Sequence, residues 1–149
     1  MTNNSSNTYI IRKNKSIASM IEVYILIIRG VLKMLEKLKE YENLLGYKYP
    51  DAYLKVVELK LLDFDNWFLM SFEQLVDRRE ELIKRYPDRN LVPFAGRYDS
   101  DDIACFEIDF GEKVFIVHDY ATEGFERRQE FDDFWSWFIS AIKELIGIE

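Results

Sequence analysis

Apolar residues recur at intervals of three and four from Val31 through Leu32, Leu35, Leu38 and Leu45, with Glu42 in the same series. The pairs Lys33/Lys37 and Glu36/Glu40 occupy the other faces, so the spacing predicts a long helix from about Ser16 to Leu45, which Gly46 can stop. Residues 1–16 are polar and rich in Asn and Ser; they offer too little apolar surface to offset the entropy of ordering and are expected to be loose. Tyr49-Pro50 opens a second, short helix near Asp51–Leu61, because proline suits a first helical turn.

The period then changes. Trp67–Met70 is a short apolar run bounded by DFDN and Ser71 and predicts a strand. Ser71 and Gln74 form an S-x-x-Q capping box for a helix through Tyr86, striped by Phe72, Leu75, Val76, Leu82 and Ile83, with Pro87 after its end. Leu91–Phe94 reads as a strand that Pro93 places at an edge or a bend. Asp102–Ile108 and Lys113–His118 flank Asp109-Phe110-Gly111-Glu112, a connection of hairpin length, and predict an antiparallel pair. In the last helix Phe131, Phe134, Trp135, Phe138, Ile142, Leu145 and Ile146 share one face. Glu130, Asp132 and Asp133 lie near its start, and Gly147 stops it. Trp137 lies off that stripe, which leaves it either closing a gap under the N-terminal helix or exposed as a contact. The aromatic stripe reads as core, since large rings supply burial area first. The element order is α+β.

Composition supports a folded domain: 149 residues, 48% hydrophobic and 15% aromatic, can bury a sizeable core. The formal charge of −7 is uneven. Residues 1–49 carry +4 and residues 50–149 carry −11, while 99–133 alone set twelve acids against Lys113, Arg127 and Arg128. Such a field argues against direct nucleic-acid binding and for a basic partner. Cys105 is the only cysteine, which excludes an intramolecular disulfide and a thiolate zinc cluster and fits a reducing compartment. It reads as a small core residue. Glu22 and Arg29 bracket the apolar run Met20–Ile28, so a signal peptide is rejected, and the run is short of the ~20 residues that span a bilayer. A cytoplasmic protein without stable membrane insertion is expected. Amphipathic contact with a membrane surface is the weaker alternative.

Catalytic motifs are sparse. The sequence has no G-x-S-x-G, H-E-x-x-H, Walker A or G-x-G-x-x-G pattern, and no cofactor is implied. Asp99, Asp101 and Asp102 offer oxygen ligands but lack the glycine and distant glutamate of an EF-hand, so turn formation and partner contact are favoured over a metal. Arg97 is placed to pair with this cluster. A small hydrolase built on Asp101, His118 and Asp119 is the enzymatic alternative; a lone His carries little weight, and His118 reads as a structural or surface residue.

The segments LVPFAGRYDSDDIACFEI, KVFIVHDY and EFDDFWSWF, together with Tyr49-Pro50 and WFLMSFEQL at 67–75, resemble the SUKH superfamily of Smi/Knr-like domains. The pattern PFA-x-R-x-D-x-DDIACF is its most specific part, and the resemblance covers roughly residues 44–146, giving an expected domain at 44–149 after a 17–45 helix. It implies a mostly antiparallel sheet packed by helices. It also implies, from bacterial members, a non-enzymatic immunity protein that binds and neutralises a cognate toxin, with an acidic surface covering a basic active site such as that of a nuclease. The candidate contacts are Arg97, Tyr98, Asp99, Asp101 and Asp102 in one loop and Asp119, Tyr120, Glu123, Phe125 and Glu126 in the next. A scaffold or regulatory interaction module is the other non-enzymatic reading. About thirty residues precede MLEKLKEYENLLGYKYP, where such a domain is expected to begin, so translation from Met34 and a genuine added helix both stay open.

Overall fold

The computed structural model describes residues 4–148, with side chains from residue 10 onward. It separates into two compact units, Met1–Lys33 and Met34–Glu149. Helix α1 runs Asn4–Leu45, so it starts well before Ser16, and the segment expected to be loose is helical from Asn4; residues 1–3 lie outside the described residues. Among the described residues no helix is long and apolar enough to cross a membrane.

The second unit has an α+β architecture. After the last turns of α1 come α2 (Asp51–Glu58), β1 (Asp63–Phe64), β2 (Trp67–Leu69), α3 (Phe72–Arg85), β3 (Leu91–Arg97), β4 (Asp102–Glu107), β5 (Val114–His118), β6 (Arg127–Phe131) and α4 (Phe134–Leu145). The six strands pair in chain order, every pair antiparallel. Local signals account for several boundaries. Gly46 takes φ +62° just past α1, where a side chain would be strained. Both halves of the capping box form: the Ser71 hydroxyl accepts from the Gln74 backbone N–H and the Gln74 side chain accepts from the Ser71 N–H. Asp133 caps α4 through the Ser136 N–H at 2.7 Å.

Pro93 is not on an edge. Strand β3 sits between β2 and β4, and the register shifts between Pro93 and Ala95, so the missing proline N–H falls at a bulge. The bulge adds Phe94 to the middle of the core. Phe94 stacks on Phe106 at 4.4 Å and meets the Trp137 ring edge-on at 4.9 Å, with Tyr53 and Phe134 around it. Trp137 is therefore a core residue, 1% exposed, and the buried arc of α4 is Phe134, Trp137 and Ala141. Trp135, Leu145 and Ile146, placed on the buried stripe by spacing alone, are exposed. In α3 the stripe turns inward at Leu75 and Leu82, but Ile83 is exposed and Arg79 is buried in its place, donating to the Leu91 carbonyl and to Asn90.

Strand β6, sequence RRQEF, departs from expectation: residues 127–130 fall in a stretch that reads as loop, and Phe131, placed by spacing on the last helix, ends this strand three residues before α4 begins. Its polar composition has an evident use, because it forms one edge of the sheet and charged edge residues discourage pairing with another chain. The other edge, β1, has only two residues. In the centre, Gly96 lets β3 pass close to β2: a Cβ there would lie 3.0 Å from the Phe68 ring. Along β4, Phe106 faces Tyr53 and Phe134, while Glu107 on the opposite pleat meets Arg89. One side of the sheet is thus aromatic, and the other carries arginines from α3 and the turn after it.

Candidate protein-binding surface

Three connections meet at one end of the sheet: the β1–β2 turn, the β3–β4 loop and the β5–β6 loop. The antiparallel order brings them there, and hydrogen bonds tie them together. The Tyr98 N–H donates to the Asn66 carbonyl at 3.0 Å, the Tyr98 hydroxyl donates to Asp63 at 3.2 Å, and the Asp119 N–H donates to the Asp101 carbonyl at 2.9 Å. The two loops read as contacts from sequence are therefore neighbours in space. Strand β1 and the turn after it add Asp63 and Asp65, which sequence reasoning used only as a strand boundary.

Within the β3–β4 loop, Arg97 grips Asp99 through two bonds of 2.7 Å and reaches Glu144 of α4 at 2.7 and 3.0 Å. Its guanidinium lies 5.1 Å from the Trp67 ring centre, and its side chain is 16% exposed. Arg97 thus positions the loop from beneath. The same guanidinium holds both carboxyls below their usual range, Asp99 and Glu144, the latter also receiving a bond from Asn66. The Asp102 carboxylate lies within hydrogen-bond distance of His118 Nδ1, at 2.7 Å, and Asp101 stays exposed.

Beneath the β5–β6 loop lies a second ionic cluster. Asp119 is 1% exposed, and its carboxylate accepts from Arg78 at 2.8 Å, from Arg85 Nε and Nη2 at 2.7 Å each, and from the Tyr120 N–H at 3.0 Å. Glu126, also buried, accepts from Arg89 at 3.1 Å and from the Gly124 N–H at 2.6 Å. Burial alone would raise the Glu126 pKa; hydrogen bonds from its own backbone, Arg89 and Gly124 outweigh it and leave the carboxyl below its ordinary value. The Tyr86 hydroxyl is within reach of the carbonyls of His118 and Ala121. These groups hold the loop from within.

The ten sequence candidates therefore separate. Asp119 and Glu126 are withdrawn from the exposed surface, because their oxygens are buried and spent on arginines. Arg97 and Asp102 are partly buried and paired. Tyr98, Tyr120 and Phe125 stand 63%, 64% and 77% exposed, with Asp99, Asp101 and Glu123 exposed beside them. Tyr98 leans on Phe68 at 4.6 Å, and Tyr120 lies under the Arg85 guanidinium at 4.5 Å, so two of the three rings are held from one side.

The trio Asp101, His118 and Asp119 does not assemble. His118 is bonded to Asp102, whereas the Asp119 carboxylate is turned to Arg78 and Arg85. Among the described residues no group of three or more His, Cys, Asp or Glu side chains is placed to hold a metal ion. Cys105 is fully buried, and that burial raises its thiol pKa. The hollows bordering this end measure about 110 Å³, beside Asp101 and Arg78, and about 160 Å³, beside Trp67 and Arg128. Both are below the range of about 300–1,000 Å³ that small-molecule sites usually enclose.

Sequence reasoning missed the arginines Arg78, Arg85 and Arg89. The available signal was their spacing: Arg78 and Arg85 are seven residues apart on one helix face, opposite an acid-rich segment with few cations of its own. No protein-family model matches this chain, and no curated protein does either.

Proposed function

We propose that this protein is a non-enzymatic immunity protein of the SUKH type, acting in the cytoplasm by docking the loop end of its sheet on a basic surface of a cognate toxin and covering the toxin's active site. The observation that carries this reading is the group of exposed rings, Tyr98, Tyr120 and Phe125, set among the unburied carboxylates of Asp99, Asp101 and Glu123 on loops fixed from below. Aromatic side chains with little freedom left to lose make efficient anchors, and those at the centre of an interface commonly contribute 2 kcal/mol or more. The carboxylates speed encounter with a basic partner and set its orientation. The resemblance of residues 44–146 to SUKH domains supports the same class of partner.

The test is direct binding to the product of the neighbouring gene, which on this reading is the toxin. Asp99→Lys/Asp101→Lys should slow association at least tenfold at low salt and flatten its salt dependence. Tyr98→Ala and Phe125→Ala should instead accelerate dissociation, by about thirtyfold for a loss of about 2 kcal/mol. Unchanged rates in all of these variants would remove this surface from the interaction, and failure of the unmodified chain to bind or protect would remove the immunity reading.

A further inference from the structure

The first unit, helical from Asn4 onward, carries its own unpartnered surface. Ile10, Ile17, Ile21, Tyr24 and Ile28 are between 40% and 65% exposed. Their spacing alternates strictly between three and four once Asn14 is included: 10, 14, 17, 21, 24, 28, continuing at Val31. In heptad terms Asn14, Ile21 and Ile28 fall at a, and Ile10, Ile17, Tyr24 and Val31 at d. The frame runs on through Leu35, Leu38 and Leu45. In the Met34–Glu149 unit that stretch of seam is filled by the chain itself: Leu38 is fully buried, and Leu35 and Leu45 pack against the core.

We infer that residues 10–31 of α1 associate with the same segment of a second copy of this chain, as a coiled coil along this seam. The occupant follows from three features. A 3-4 repeat keeps one narrow line in register with another helix over many turns, which a lipid surface does not require. Four of the five charges of the segment sit away from the line: Lys15, Glu22 and Arg29 share position b and Arg12 sits at f, while Lys13 flanks it at g, a position that charged side chains commonly take in coiled coils. Asn14 is a polar residue within the line, where a facing Asn from an identical helix can exchange hydrogen bonds with it and fix alignment; an acyl chain offers no such partner. The area is also sufficient. Counting the seam with Met20, Ile25 and Ile27 at the flanking g and e positions, about half-exposed side chains of roughly 200 Å² each present on the order of 800 Å² per copy, the share of one partner in a stable standard-sized interface.

Sedimentation velocity of the full chain at micromolar concentration tests this. The unmodified protein should sediment at a multiple of the monomer mass. Ile21→Glu/Ile28→Glu, which places charge at two a positions, should give the monomer mass, with the thermal transition of the Met34–Glu149 unit retained as the check on folding. Val23→Glu/Leu26→Glu removes comparable apolar area from positions c and f, off the line, and should stay associated. Asn14→Ile should also stay associated, with the number of copies free to rise. A monomeric unmodified chain overturns the inference, as does equal dissociation of the on-line and off-line variants. So does co-sedimentation of a monomer with phosphatidylcholine/phosphatidylglycerol vesicles, which would assign the apolar side to a membrane instead.

Discussion

Replacing Asp119 with alanine separates a structural carboxylate from a contact carboxylate. The side chain is 1% exposed and accepts three arginine bonds of 2.7–2.8 Å and one backbone bond of 3.0 Å. Removing one member of a fully buried ion pair costs about 3–5 kcal/mol, chiefly because the other is stranded. Here the stranding is incomplete. Arg78 and Arg85 retain 33% and 26% side-chain exposure, and both still reach Glu81, so water and that glutamate recover part of the loss. The expected cost is therefore about 2–3 kcal/mol, which at a slope of roughly 2 kcal/mol/M lowers the urea midpoint by about 1–1.5 M. Asp101→Ala, at an exposed position on the adjoining loop, should stay within about 0.5 kcal/mol of the unmodified protein. In the triple variant Asp119→Leu/Arg78→Met/Arg85→Met no buried charge is left unpaired, Glu81 losing its two arginines at a half-exposed position where water replaces them, and much of the lost stability should return. Equal midpoints for Asp119→Ala and Asp101→Ala would refute the claim that Asp119 organises the loop.

Trp137→Ala should cost about 3–5 kcal/mol by opening a cavity against Phe94 and Phe134, and a melting temperature within a few degrees of the unmodified protein would contradict its central place in the core. Gly96→Ala should destabilise by about 1 kcal/mol or more in urea titrations, because the added methyl meets the Phe68 ring at 3.0 Å; no change would mean that the ring yields freely. The pKa values of Glu126 and Glu144 are depressed below 4.5, the first against its burial through backbone and Arg89 hydrogen bonds, the second mainly by Arg97. The native state then binds fewer protons than the unfolded chain near that pH, so their contribution is complete above about 4.5 and is lost as pH falls through the depressed values. Unfolding free energies measured from pH 6 to pH 3 should fall less steeply for Glu126→Gln, and an unaltered slope would exclude this linkage.

How much of this was legible depends on how far apart the cooperating residues lie. The Ser71/Gln74 capping box, the Gly46 stop and the 102–118 hairpin were readable because each depends on neighbours within a few positions. The phase of α4 was not readable. Phe134, Trp135, Trp137 and Phe138 place large rings around most of one turn, so periodicity cannot choose the inward arc; the Phe94 bulge and Trp67 choose it in three dimensions. Strand β6 escaped because RRQEF has no apolar alternation, and its pairing with β5 supplies the order that its side chains do not advertise. The candidate loops were found from acid content, yet that same content misassigned Asp119 and Glu126, whose arginine partners lie 34 and 37 residues away in sequence.

That misassignment sharpens the electrostatic argument. A count of acids over residues 99–133 treats every carboxylate as available to a partner, but several are neutralised locally: Glu107 and Glu126 by Arg89, Asp119 by Arg78 and Arg85, and Glu130 by Lys113 and Arg127. These pairs add little to a long-range field, since opposite charges a few ångströms apart cancel beyond a Debye length of about 8 Å. Their effect is to order the β5–β6 loop before any partner arrives, so that Tyr120 and Phe125 sit on backbone already fixed and binding forfeits less conformational entropy. At the loop end of the sheet, steering then rests on the acids left outward there, Asp63, Asp65, Asp101 and Glu123, with Asp99 half-cancelled by Arg97. Charge reversal at Asp101 should therefore change association rate with little effect on stability, whereas substitution at Asp119 should lower stability and disturb binding only through the loop it holds.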